Sequence, residues 1–476
     1  MPKAPDVLVS RSPADPADEL GRFAVWDAEA VSEAVARARS AFPAWRELGF
    51  EARAHHLRRL RDRLAQRTEE LARLIAREVG KALWDARGEA RLLPAKVDLT
   101  LEEGMRFVAP IEAGPGARAR FQPRGVLAVL GPFNFPAHLP HGHIVPALAT
   151  GNTVVWKPSE LAPAVGQWLA RAWRDAGLPA GVLELVQGGA ETGRALALHP
   201  DVDGVLFTGS WRVGRALQEA TLDQPGKLLA LEMGGRNAML VLEDADLPLA
   251  ISEAAVSMCA TTGQRCSSLS RIFVARPLLD AFAQGLCRVL QGVVIGPPLE
   301  EGVFMGPLVS RAAFERLQRF REQEEAAGGE RLLRGRVDRL APFVGPGLVR
   351  FPRLDQSHAC QREEIFDPEA ALYAFDELEE AILAANDSEY GLAASIMTRS
   401  RSHFEHCARE IRTGICNWNR GTIGASGRLP FGGERRSGNH RPAGILATVY
   451  CTRPQSQLEG RAALDPQTLP PGMPAP

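Results

Sequence analysis

The sequence predicts an α/β protein of more than one domain. Three observations carry this. Short apolar runs alternate with amphipathic helical stretches from about 125 to 230. A second stretch of the same kind runs from about 235 to 435. And 476 residues exceed what a single hydrophobic core normally organises.

Residues 27 to 106 are rich in Ala, Leu and Arg with few breakers, and they read as long amphipathic helices, with Asp27 and Ser32 as candidate caps. The basic cluster His56 to Arg63 is interleaved with Leu57, Leu60 and Leu64, the spacing of a helix with one solvated face. Around Arg118 to Gln122 the pattern shortens to an alternation that suggests a hairpin. Buried strands are then expected at Gly125 to Gly131, Thr153 to Trp156, Val182 to Val186, Gly204 to Thr208 and Lys227 to Glu232. Helices are expected between them, near 162–176, 191–198 and 212–221. Further strands are expected at Ala238 to Leu242, Ile272 to Val274 and Ala371 to Phe375. The proline-rich end, 457–476, reads as a disordered tail.

Composition excludes several function classes. The chain is 45% hydrophobic and 24% charged with a formal net charge of −1, so neither nucleic acid nor an anionic membrane is an expected partner. No run approaches the length of a membrane span, and Met1 to Leu20 has no apolar core of a signal peptide. Seven scattered cysteines, with no CxxC pair and no Cys/His cluster, point to free thiols in a reducing cytoplasm and to no bound metal.

One of those cysteines stands apart. Cys266 follows Thr261-Thr262-Gly263-Gln264-Arg265, a glycine turn with polar flanks, the partly exposed setting that a nucleophilic thiolate needs. Cys259 lies in an apolar segment and reads as structural. Glu232 closes a strand before Gly234-Gly235, at the sheet end where open α/β folds bind ligands, and is a candidate general base. Asn134, fixed between prolines in Gly131-Pro132-Phe133-Asn134-Phe135-Pro136, is a rigid amide donor suited to an oxyanion. Lys157 and Glu160, after the strand Thr153 to Trp156, can reach two hydroxyls of one ribose. Gly209, Ser210 and Gly214 open a helix whose free N–H groups suit a phosphate. No GxGxxG occurs, so spacing alone leaves a dinucleotide site open.

In order along the chain, these segments resemble the aldehyde dehydrogenase family over about 30 to 455. The motifs are GPFNFP, ATGNTVVWKPSE, FTGS, LEMGG, GQRC, EEIFDP, NDSEYGLAA and PFGG. The resemblance implies a modified Rossmann domain for NAD (1–107 and 124–233), an α/β catalytic domain (234–438) and a small β oligomerisation flap (108–123 and 439–456). It implies Cys266 as nucleophile, Glu232 as general base, Asn134 as oxyanion donor, and Lys157, Glu160, Ser210, Glu364 and Phe366 as cofactor contacts. It also implies a homodimer or homotetramer. GPFNFPAHLPHGHIVPAL, GICNWNRGTIGASG and SGNHRPAG extend the resemblance to the branch that oxidises N-succinylglutamate 5-semialdehyde in arginine catabolism.

Such an anionic aldehyde calls for cations and amides, and Arg265, Asn417, Ser426 and Arg441 are the candidates, with Asn419, Arg420 and His440 beside them. Another semialdehyde substrate, or a catalytically silent relative, are the competing readings. Retention of Cys266, Glu232 and Asn134 together counts against the second. Asp367 stands where the family has glycine in EEIFGP, and Arg236 and Met239 depart from the family's usual run after the base.

Overall fold

The computed structural model describes residues 6–338, 341–460, 463–465 and 469–476. Its core is built on two sheets. The first has five parallel strands in the spatial order Leu183–Leu185, Thr153–Lys157, Val126–Leu130, Gly204–Thr208, Leu228–Glu232. Order reverses beside Val126–Leu130, and the doubly wound fold binds ligands at the carboxyl ends of strands around such a switch point. Three of the expected chemical segments leave those ends: the loop carrying Asn134, the Gly209-Ser210 turn, and Glu232 itself.

The second sheet has seven strands, ordered Glu330–Leu333, Gly347–Arg350, Glu369–Phe375, Leu269–Ala275, Asn237–Val241, Ala393–Met397, Ile415–Trp418. All neighbours pair in parallel except the first two. Every residue of Val126–Leu130, Thr153–Lys157, Asn237–Val241, Leu269–Ala275 and Ala393–Met397 is buried, which is why these strands read as continuous apolar runs rather than alternations.

The predicted helical region resolves into Ala28–Glu47, Phe50–Gln66, Thr68–Val79 and Leu83–Glu102. Asp27 caps the first, accepting from the Ala30 N–H at 2.9 Å. Ser32 does not cap; it lies inside that helix, with its hydroxyl 3.1 Å from Nε2 of His199. Leu57, Leu60 and Leu64 are the buried stripe of the second helix, as their spacing predicts.

A small three-stranded sheet pairs Ala117–Pro123 with both Ile111–Gly114 and Thr452–Leu458, all antiparallel. Its last strand includes Gln457 and Leu458, opposite Arg118 and Ala117, so the first two residues of the expected tail are ordered by ladder hydrogen bonds. Residues 461–462 and 466–468 of that tail lie outside the described residues. The polar N-terminal stretch also carries structure, an antiparallel pair Val7–Arg11 with Glu19–Ala24, anchored where the Ser10 hydroxyl donates to buried Glu78 at 2.5 Å. Among the described residues no helix is long and apolar enough to cross a membrane.

Candidate active site

The two sheets meet end to end. Glu232 is the last residue of a strand in the first, and Asn237 the first of a strand in the second. Cys266 lies just before Leu269–Ala275, at the same end of the second sheet. The carboxyl edge of one sheet and the amino edge of the other therefore flank both Glu232 and Cys266.

The loop before Cys266 is unusual in its backbone. Thr261, Thr262 and Gly263 all have left-handed φ, at 54°, 55° and 72°. For β-branched threonine this conformation costs on the order of 1–3 kcal/mol per residue, so surrounding contacts must hold it. Thr261 Oγ1 donates to Asp85 at 2.6 Å and Thr262 Oγ1 to the Gly306 carbonyl at 3.0 Å. Gly263 admits the backbone of Asp367 and Pro368, where a Cβ would come within 2.3 Å of both. Gln264 accepts from the Val309 N–H through Oε1 and donates to the Thr261 carbonyl through Nε2. Cys266 is itself held by its carbonyl, which accepts from Asn237 Nδ2 at 2.8 Å.

Asn134, buried, donates from Nδ2 to the carbonyl of Gln264 at 2.8 Å. One amide hydrogen is engaged, and a primary amide has a second to donate. Glu232 is 1% exposed, and neither carboxylate oxygen has a hydrogen-bond partner among the described residues. Burial drives its carboxyl well above the usual range, and the Arg441 charge offsets only part of this. Such a buried orphan is costly for a folded protein unless it serves chemistry. Cys266 is half-buried; desolvation raises its thiol pKa, and the charges of Glu232 and then Glu364 raise it further. The Ser267 N–H and the Arg265 guanidinium act in the opposite direction. A neutral Glu232 thus removes one obstacle to the thiolate, while the anion is the form that can accept a proton from water.

The expected cofactor contacts line the switch point. Lys157, nearly buried, reaches Glu160 at 3.3 Å. Ser210 caps the helix Trp211–Ala220, accepting from the Val213 N–H at 3.4 Å, with Gly209 before it and Gly214 packed on Met233. Glu364 accepts from the Gly235 N–H at 2.8 Å and lies over Gly234, where a Cβ would come within 1.9 Å of its carboxylate. Burial raises Glu364 to about 7. Phe366, at φ 64°, meets Phe133 edge to face at 5.9 Å. The substituted Asp367 has a buried side chain that accepts from Arg316 at 3.3 Å, yet burial outweighs that guanidinium and pushes its carboxyl up to about 8.

The expected substrate contacts fare unevenly. Arg265 donates to Asp85 at 2.7 Å and to Thr261 at 2.8 Å. Arg441 donates to Glu434 at 3.1 Å and to the Gly433 carbonyl. Both amide hydrogens of Asn417 go to the loop that follows its strand, to Gly421 and Gly424, and Ser426 is exposed with its hydroxyl accepting from the Arg428 N–H. Asn419 bonds Thr398. Asn237, which holds the Cys266 carbonyl, and Asp85, which holds the side chains of Thr261 and Arg265, had no distinguishing signal in the sequence; an Asp two residues into a helix reads as an ordinary N-terminal charge.

The fold and this site define a two-sheet α/β protein of the nucleotide-binding kind, with a candidate reactive thiol where the sheets meet. The chain belongs to the aldehyde dehydrogenase family, whose sequence model matches residues 3–456. It is 40% identical over 475 residues to the N-succinylglutamate 5-semialdehyde dehydrogenase of Chromobacterium violaceum, covering 98% of this chain and 96% of that one. Its identity to the enzyme of the same name from Paraburkholderia xenovorans is 41% over 463 residues, 94% of each chain. Among solved structures it is similar to an NAD-dependent aldehyde dehydrogenase from Sinorhizobium meliloti, with TM-score 0.91, 31% identity, and coverage of 96% of this chain and 93% of that one. A Pseudomonas syringae aldehyde dehydrogenase variant complexed with NAD+ and octanal gives TM-score 0.91 and 31% identity, with coverage of 96% and 94%.

Proposed function

We propose that the chain oxidises N-succinylglutamate 5-semialdehyde to N-succinylglutamate with NAD. The observation that carries the reaction type is the orphaned Glu232 carboxylate within electrostatic reach of Cys266. The substrate rests on the names of relatives about 40% identical over nearly the full chain.

The residues present fit a dinucleotide. The Lys157–Glu160 pair suits the hydroxyls of one ribose, the Ser210 helix start suits the pyrophosphate, and Glu364 over Gly234 suits the second ribose. When bound, NAD supplies the acceptor for a hydride. The Glu160 carboxylate would repel a 2′-phosphate, which favours NAD over NADP.

The thiolate of Cys266 adds to the aldehyde carbon, forming a C–S bond and a thiohemiacetal oxyanion. Asn134 Nδ2–H and the Cys266 N–H donate to that oxygen. After loss of hydride the carbon is a thioester. Glu232 then takes a proton from water as the water oxygen attacks; the C–S bond breaks, the acid leaves and the thiolate returns. Arg265, Ser426 and Arg441 remain the proposed contacts to the substrate's carboxylates, while Asn417, its amide hydrogens taken by Gly421 and Gly424, keeps only its carbonyl oxygen for the substrate's amide N–H.

The same reading assigns 1–107 and 124–233 to cofactor binding, 234–438 to catalysis, and 108–123 with 439–456 to a flap that adds to a neighbour's sheet in a cytoplasmic homodimer or homotetramer. The edge strands Ile111–Gly114 and Thr452–Leu458 support the last assignment. The test is NADH formation from N-succinylglutamate semialdehyde against short aliphatic aldehydes. A higher kcat/KM on the succinylated aldehyde is expected, and a preference for the aliphatic ones would overturn the substrate.

A further inference from the structure

One helix grips both halves of the oxyanion site. Asp85 and Glu89 lie one turn apart on the helix Leu83–Glu102 and so share a face; both are buried. Asp85 accepts Thr261 Oγ1 at 2.6 Å and Arg265 Nη2 at 2.7 Å, the two residues that bracket the left-handed turn before Cys266. Glu89 accepts the N–H groups of Ala137 and His138, each at 3.0 Å, just beyond Asn134. Its other oxygen pairs with Lys81 at 2.6 Å, in a pair whose side chains are fully buried. Lys81 also sits 3.6 Å over the ring of Phe135, and Arg265 stands 5.1 Å from the same ring.

Through these bonds the nucleophile's loop and the oxyanion donor's loop are referenced to a single rigid element. Thr261 Oγ1 and the guanidinium of Arg265 would otherwise face each other alone, across the 2.8 Å bond between them, with no acceptor to anchor either to the helix.

We propose that Asp85 is a positioning residue for the nucleophile: by binding Thr261 and Arg265 at once, it keeps the left-handed turn wound so that the Cys266 N–H and thiol address the same carbonyl as Asn134. This rests on Cys266 being the nucleophile. It assigns Arg265 a place in the scaffold of the reacting loop as well as beside the substrate path. Asp85 touches neither substrate nor cofactor and acts only through the loop.

The test is the pre-steady-state burst of NADH in the full-length enzyme, with KM for both substrates and the rate of Cys266 alkylation by iodoacetamide. Asp85→Asn and Thr261→Val are each expected to slow the burst by about 10²-fold, the scale of an ångström-level misplacement. KM for NAD should stay at the wild-type value and alkylation should slow. Thr261→Ser, which keeps the hydroxyl, should restore the burst. The double variant Asp85→Asn/Thr261→Val should be no slower than the slower single variant, because both break one link. A wild-type burst in folded Asp85→Asn, a loss confined to KM, or additive losses in the double variant would overturn the proposal. If Asp85→Asn does not fold, Thr261→Val and Thr261→Ser decide it alone. An undiminished burst in Cys266→Ala would instead remove the underlying reading of the nucleophile.

Discussion

The side-chain amide of Asn134 donates to the carbonyl oxygen of Gln264 across 2.8 Å, so the proposed oxyanion donor is bonded to the loop that leads to Cys266. The donor cannot drift without dragging the backbone that leads to Cys266. Asn134→Ala removes both that tie and one oxyanion contact. Its kcat is expected to fall by roughly 10²–10³-fold, the measured scale for losing one such donor, with NAD affinity unchanged by equilibrium fluorescence titration. Unaltered turnover would exclude Asn134 from the site.

Glu232 and Cys266 carry charges that oppose each other. Glu232→Gln deletes one of them and the proton acceptor together. The variant should keep a burst of NADH while its steady state becomes slow, because hydrolysis of the thioester lacks its base. The pH profile of iodoacetamide alkylation at Cys266 should move to lower pH, since a negative charge that raises the thiol pKa is gone. A shift to higher pH would mean that Glu232 activates the thiol rather than the water.

Burial raises Glu364 to about 7, from an ordinary carboxylate value. As pH falls through that value the group becomes a neutral acid, which is a poorer acceptor for two ribose hydroxyls. KM for NAD should therefore rise on acidification below about 7, and Glu364→Gln, which mimics the neutral acid, should abolish that dependence and hold KM near the wild type's acid-side value throughout. The linkage to stability has the opposite sense to that of a salt-bridged carboxylate. With the folded pKa above the unfolded one, the folded state binds more protons, and this group's contribution falls as pH rises from about 4.5 to about 7. Glu364→Gln should therefore show less loss of Tm than wild type between those pH values, measured without cofactor.

Gly263 combines a left-handed φ of 72° with a backbone neighbour where a Cβ would sit. Gly263→Ala is expected to cost about 1–2 kcal/mol for the conformation alone, and more for the clash with Asp367 and Pro368. A Tm within error of wild type would show that the loop rearranges freely.

The sequence made the first sheet legible because its strands are buried on both faces and its breakers are regular. Gly204 to Thr208 coincides with the observed strand, and the helix expected at 162–176 appears as Pro163–Asp175. The N-terminal strand pair was not legible: Val7–Arg11 and Glu19–Ala24 are half exposed, and the first is tied through Ser10 to Glu78, some seventy positions away. In the candidate site, Cys266 and Asn134 stand out because each follows a glycine or proline device that fixes the local backbone, and Glu232 because it closes a strand just before Gly234-Gly235. Asp85 and Asn237 do not, since their importance lies in distant partners that no local pattern encodes. The same limit explains Asn417, whose amide hydrogens are taken by carbonyls of the loop that follows its strand.

Glu232 and Asn237 belong to different sheets, and only Met233, Gly234, Gly235 and Arg236 lie between them. That short tether works as a ruler. It sets how far the proton acceptor stands from the strand whose first residue holds the Cys266 carbonyl, and both sheets are too firmly packed to adjust. Lengthening it by one residue would leave each sheet able to form yet put water and thioester out of step. Tolerance to insertion, generous in most surface loops, should vanish at this junction.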